Sequence, residues 1–123
     1  LGAHAVFEPG ARLPHRVDAV IETVGEATWS HSMKSLRPGG RIIISGATTG
    51  SMPPADLSRL FFLQLQVLGS TMGTIGELSS LVSFLEGTGL RPTIDRVVPL
   101  TDAASAISAM ATGDVMGKIV LAP

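Results

Sequence analysis

An α/β chain with a parallel sheet and flanking helices is the fold class this sequence predicts, on three observations. Runs rich in Val, Ile and Leu, without the polar alternation of a half-solvated strand, alternate with stretches whose apolar residues recur every three to four positions. Each of the first three strand-like runs gives way to Gly, Ser or Thr, the residues that turn a chain and start a helix. The order β, α, β, α, β requires crossover connections, and these join parallel strands.

Val17-Asp-Ala-Val-Ile-Glu-Thr-Val24 is the first strand, closed by Gly25. A helix follows, with Thr28 as its expected N-cap. Trp29, Met33 and Leu36 fall at i, i+4 and i+7 on one stripe, and Pro38-Gly39-Gly40 is expected to stop it before a second strand from Arg41 to Ser45. Gly46 to Pro54 is a loop of small residues. Helical spacing resumes from Ala55 to about Gln64, with Leu57, Leu60 and Phe61 on one side, and Leu65 to Thr71 is the third strand. Thr74-Ile-Gly-Glu77 has the spacing of a capping box and opens a helix that ends near Gly87 or Gly89. Ile94 to Leu100 is extended, Thr101 is placed to cap an alanine-rich helix ended by Gly113, and Lys118 to Leu121 is a last short strand. Ala5-Val6-Phe7 is compatible with a short strand, and Leu1-Gly2-Ala3 resembles the tail of a helix, so the chain is expected to begin within a domain.

Composition narrows the function classes. With 123 residues, 45% hydrophobic and 15% charged, the chain has the apolar material for one domain or part of one. A net charge of −1 gives no long-range attraction to nucleic acid or an anionic membrane, so neither is an expected partner. Apolar runs such as Leu60-Phe-Phe-Leu63 fall far short of the ~20 residues that span a bilayer. A soluble, cytoplasmic protein is expected, and with no cysteine the chain offers no disulfide, thiolate ligand or cysteine nucleophile.

Three strand ends carry the candidate site: Val24-Gly25, Ser45-Gly46-Ala47-Thr48 and Ser70-Thr71-Met72, the last followed by Gly73. In a parallel sheet these loops share one crest, where α/β folds bind ligands. Glycine lets backbone approach a flat ring or a ribose, and hydroxyls add hydrogen bonds, which suits an elongated nucleotide. The other reading is that the loops hold turn and cap residues alone.

In order and spacing, Asp18-Ala-Val-Ile-Glu-Thr-Val-Gly25, Leu36-Arg-Pro-Gly-Gly-Arg41, Ile43-Ile-Ser-Gly46, Val67-Leu-Gly-Ser-Thr-Met-Gly-Thr74 and Gly117-Lys-Ile-Val-Leu121 together resemble the medium-chain dehydrogenase/reductase superfamily, its zinc-binding dehydrogenases and quinone oxidoreductases. The resemblance covers nearly the whole chain. It implies a partial Rossmann-type, doubly wound parallel sheet lacking the first strands. Residues 1–123 would then be the C-terminal portion of a dinucleotide-binding domain, with residues 92–123 returning toward a catalytic domain. It further implies NADP or NAD as cofactor, with Val24 and Gly25 near the adenosine and Ser45, Gly46, Ala47 and Thr48 along the nicotinamide half. Ser70, Thr71 and Met72 would lie at the carboxamide, and Lys118 would reach phosphate. The implied reaction moves hydride to or from a small carbonyl, alcohol, quinone or enone, and the implied assembly is a homodimer through the outer strand matching Leu65 to Thr71.

The chain departs from the family pattern in having no Gly-x-Gly-x-x-Gly, the turn that grips the pyrophosphate. The family's zinc ligands and substrate-polarising residues belong to its amino-terminal domain, so zinc would enter only there and no catalytic residue is assigned. The segment taken alone is therefore expected to be inactive, with a sheet edge open to self-association.

Two other functions fit parts of the sequence: an S-adenosylmethionine-dependent methyltransferase, suggested by the Pro-Gly-Gly turn before a strand, and a dehydrogenase-like module used for assembly. His4, His15 and His31 lack a paired metal-ligand spacing and read as structural or exposed. Asp18 and Glu22 could share a strand face, with a loop partner and a strand-end contact set against a catalytic pair. Met72 could touch a ring or fill a gap, and Trp29 reads as core.

Overall fold

A computed structural model describes residues 2–123, in two compact units, Leu1–Met72 and Gly73–Pro123. In the first, β1 (Val17–Glu22), α1 (Glu26–Ser35), β2 (Leu36–Ile44), α2 (Leu57–Phe62) and β3 (Gln66–Gly69) follow in order. The strands form one parallel sheet, β1-β2-β3, in which Glu22 is level with Ile44 and Ile44 with Gly69. The expected α/β class with parallel strands is thus the observed one.

The core lies on the α1 side of this sheet. Trp29 and Met33 of the expected stripe are buried on α1, and Leu36 is buried with them and Ile42 but as the extended first residue of β2, not on the helix; Val17, Val20, Ile44, Leu60 and Leu65 pack around them. Burial of these side chains is the main stabilising term of the unit. The C-terminal carbonyls of α1 are satisfied from α2: Arg59 donates Nε to Met33 O at 3.0 Å and Nη2 to Lys34 O at 3.3 Å.

Several local expectations need correction. The helix begins at Glu26 with Gly25 as the preceding residue, so Thr28 sits inside the first turn and does not cap it. Pro38-Gly39-Gly40 does not precede β2 but forms an irregularity within it: Val17 pairs with Leu36, and after the shift Ala19 pairs with Arg41. The second helix is shorter than expected. Asp56 accepts the Arg59 amide as its cap, and only Leu60 of the expected apolar side reaches the core, while Leu57 and Phe61 stay exposed. Ala5-Val6-Phe7 forms no strand, and of the expected helix tail Gly2 and Ala3 are not helical, while Leu1 lies outside the described residues.

The second unit holds α3 (Ile75–Thr88), β4 (Ile94–Pro99), α4 (Ala103–Thr112) and β5 (Lys118–Ala122). The capping box is present in full: the Thr74 hydroxyl accepts the Glu77 amide, Glu77 accepts the Thr74 amide at 2.7 Å, and Gly89 closes the helix in the left-handed region. Thr101 does not cap α4, because a 3-10 turn over Leu100–Asp102 carries the chain into it. β5 runs parallel to β4, so β4, α4 and β5 make another strand-helix-strand unit.

Candidate functional site

Because β1, β2 and β3 are parallel and end at one level, the loops after Glu22, Ile44 and Gly69 leave the same edge of the sheet. The candidate residues Val24, Gly25, Ser45, Gly46, Ala47, Thr48, Ser70, Thr71 and Met72 therefore share one crest. Two strand-end hydrogen bonds hold it together, Ser45 N to Glu22 O at 2.9 Å and Ser70 N to Ile44 O at 2.8 Å. Lys118 lies in the other unit, exposed at the start of β5 and paired with Ile94.

The first loop is shaped by a buried charge. Glu22 is 3% exposed, and its Oε1 accepts the amides of Val24 at 2.9 Å and Gly25 at 3.1 Å and the Thr28 hydroxyl at 2.7 Å. Oε2 accepts the Ser32 hydroxyl at 2.5 Å. Burial opposes the charge, but the hydrogen bonds from Ser32, Thr28, Gly25 and Val24 together outweigh it and bring the pKa down to about 2. The carboxylate fills the anion-seeking position at the start of α1. Those amides are thereby spent, and the loop is left to meet a neutral group.

Gly25 and the second loop meet directly. Gly25 has φ +96°, and a Cβ there would lie 2.3 Å from Gly50 O and 3.0 Å from Ala47 Cα. Thr49 donates its amide and its hydroxyl to Val24 O, both at 2.8 Å, while its Oγ accepts the Ala27 amide. The close backbone approach expected of Gly25 is made by the chain itself. Ser45, Ala47 and Thr48 remain exposed on the crest, as do Ser70, Thr71 and Met72, the last at 97% exposure and so filling no gap in the core.

A cleft of about 310 Å³ borders this crest, with Phe7, Glu8, Ile21, Val24, Thr28 and His31 in its wall. His31 Nε2 is 2.8 Å from Ala11 O and ties the loop before β1 to α1, the structural role expected of an isolated histidine. Trp29 is core, its indole N–H donating to Pro54 O at 3.1 Å. Asp18 and Glu22 form no pair: Asp18 meets Arg37 on the surface, and Glu22 makes the strand-end contact. Among the described residues no group of three or more His, Cys, Asp or Glu side chains could hold a metal, and no helix is long and apolar enough to cross a membrane.

Sequence pattern alone does not single out Thr49, Gly50 and Ser32. A Thr-Gly pair following a strand was the one available signal for the first two, and Ser32 follows from Thr28 by one helical turn.

Comparison with known proteins agrees with this architecture. The family model described as zinc-binding dehydrogenase matches residues 2–121. An NAD-dependent alcohol dehydrogenase of Sulfolobus acidocaldarius is 30% identical over 106 residues, which is 85% of this chain and 31% of that protein. A thermostable alcohol dehydrogenase from Pyrobaculum aerophilum superposes with a TM-score of 0.79 at 32% identity, covering 89% of this chain and 33% of the other. The 2-octenoyl-CoA carboxylase reductase solved with NADP and 2-octenoyl-CoA gives 0.79 at 26% identity, covering 85% and 23%. The chain spans about 30% of the length of the curated relatives it matches. The methyltransferase alternative is set aside, since these relatives are oxidoreductases and β5 is parallel to β4 where that fold ends in an antiparallel hairpin. With the match extending over nearly all of its residues, the chain belongs to the zinc-binding dehydrogenase family of the medium-chain dehydrogenase/reductase superfamily.

Proposed function

We propose that this chain is the later part of the dinucleotide-binding domain of an NAD(P)(H)-dependent oxidoreductase acting on a small carbonyl, alcohol, quinone or enone. The observation that supports it most is the single crest formed by the ends of three parallel strands, Glu22, Ile44 and Gly69. A nicotinamide cofactor supplies or accepts the hydride when bound. This chain's own residues bind and orient it.

Val24 and Gly25 are assigned to the adenosine: half-buried Val24 borders the cleft, and Gly25, buried against Gly50 O, shapes the loop behind it, while Glu22 already takes the loop amides that an anion would need. Ser45, Gly46, Ala47 and Thr48 then lie along the nicotinamide half, and Ser70, Thr71 and Met72 offer backbone and hydroxyl groups to a carboxamide. Lys118 is the cation for phosphate, and residues 92–123 return toward a catalytic domain. Zinc, where used, belongs to that catalytic domain. A cytoplasmic setting and a homodimer through the outer edge of β3 complete the reading; β3 ends the sheet and leaves that edge unpaired among the described residues.

Titration of the isotopically labelled chain with NADH, NADPH and S-adenosylmethionine, followed by amide chemical shifts, tests the reading. Weak binding of the two nicotinamide nucleotides with shifts centred on residues 24–25, 45–48 and 70–72 is expected, because no glycine-rich phosphate turn lies within these 123 residues. Shifts that avoid the crest, or a response only to S-adenosylmethionine, would overturn it. Micromolar affinity by calorimetry would contradict the dependence on the phosphate turn.

A further inference from the structure

A second concavity lies away from the crest. Between the loop from Gly10 to Arg16 and the last turn of α1 there is a pocket of about 410 Å³, within the size range of small-molecule sites. Arg12, His15, Arg16, His31 and Lys34 line it, and no carboxylate does. Arg16 precedes β1 and Ser35 ends α1, so the pocket sits at the N-terminal edge of the strands, opposite the edge that carries Gly25 and Gly46.

The pocket wall is fastened at two points. His31 binds Ala11 O at 2.8 Å, and Arg16 Nη1 reaches Leu36 O at 3.5 Å. His31, Lys34 and Ser35 fall at i, i+3 and i+4 and so face the loop together. The two ion pairs among the described residues use Arg37 and Arg96, which leaves Arg12, Arg16 and Lys34 with no carboxylate partner. The C-terminal end of α1 favours a nearby cation, and that accounts for Lys34. It does not account for Arg12 and His15 on the facing loop, since the last carbonyls of the helix are already taken by Arg59 and Arg16.

Side chains of this kind offer donors and positive charge without a competing carboxylate, and the guanidinium fork matches phosphate oxygens in pairs. We propose that this pocket binds the phosphate groups of a small phosphorylated ligand. The site stands independently of the dehydrogenase reading. It shares Gly10, Leu13 and His31 with the cleft beside Val24, so a nucleotide and a separate phosphorylated metabolite are the two sources of phosphate that the test distinguishes.

Calorimetric titration of the 123-residue chain with sodium pyrophosphate at about 0.15 M ionic strength tests the proposal. Saturable binding with a dissociation constant below about 1 mM is expected, weakened at least about tenfold in the Arg12→Gln/Lys34→Gln double variant. Lys34→Arg, which keeps the charge, should retain binding, and Arg91→Gln, outside the pocket, should leave it unchanged. Circular dichroism checks that the variants keep their helices. Competition by NADPH assigns the phosphate to the nucleotide, and its absence assigns it to a separate ligand. No saturable binding, or an equal loss in Arg91→Gln, overturns the proposal.

Discussion

The Glu22 carboxylate accepts the Ser32 hydroxyl at 2.5 Å, joining the end of β1 to the middle of α1. Its other oxygen organises the crest loop, so one ionised side chain fixes both the approach of the helix and the shape of the candidate site. The groups facing it are hydroxyls and amides, and all of them donate to the charged form.

Stability should therefore depend on acid. The folded pKa of Glu22 is about 2, below its ordinary value of 4.5, so its contribution is fully present above pH 4.5 and is lost as pH falls toward 2. The shift corresponds to about 3 kcal/mol. Urea midpoints measured between pH 7 and pH 2 should fall across this window, and Glu22→Gln should be less stable at pH 7 with a flatter profile. An unchanged profile in the variant would show that the acid sensitivity arises elsewhere.

Gly25→Ala places a methyl group 2.3 Å from Gly50 O at a φ of +96°. A loss of about 2 kcal/mol or more is expected. Gly39→Ala, also at positive φ but with nothing within 4 Å of the added carbon, should cost about 1 kcal/mol. Chemical denaturation of the pair separates loop packing from backbone strain, and equal losses would refute the packing argument.

Leu36, the first residue of β2, is fully buried among Trp29, Met33 and Ile42. Its replacement by Ala should cost about 3 kcal/mol through lost burial and a residual cavity. Thermal or urea unfolding monitored by Trp29 fluorescence reads this directly, because the indole belongs to the same cluster.

Thr74→Ala removes the hydroxyl that accepts the Glu77 amide. Helix α3 should lose about 1 kcal/mol at its first turn. Faster amide exchange at Glu77 and Leu78, with Phe84 near the other end unaffected, is the expected signature.

Much of the fold could be read from local pattern. The apolar runs located all three strands of the first sheet, Trp29 and Met33 one helical turn apart located the helix face of its core, and Thr74 with Glu77 marked the start of α3 to the residue. Thr28 and Thr101 have the residue type of caps but do not act as caps, because a hydroxyl near a helix start is a local preference and packing decides its partner: Glu22 accepts the hydrogen bond of the Thr28 hydroxyl, and a 3-10 turn precedes α4. Ala5 to Phe7 has strand composition but no strand beside it to pair with in the described structure. The loops of the candidate site were legible as small-residue clusters after strands, whereas the roles of Thr49, Gly50 and Ser32 within them were not.

The sequence by itself determined the α/β class, the parallel direction of the strands and the family, because hydrophobic period, turn residues and motif spacing are properties of neighbouring residues. Only the tertiary structure decided that Gly25 yields its space to Gly50 and that a buried Glu22 saturates the loop amides. The first depends on the second loop folding back over Gly25, and the second on α1 packing Thr28 and Ser32 around the carboxylate so that it is buried and turned toward its own loop amides; neither packing event leaves a mark on the local pattern.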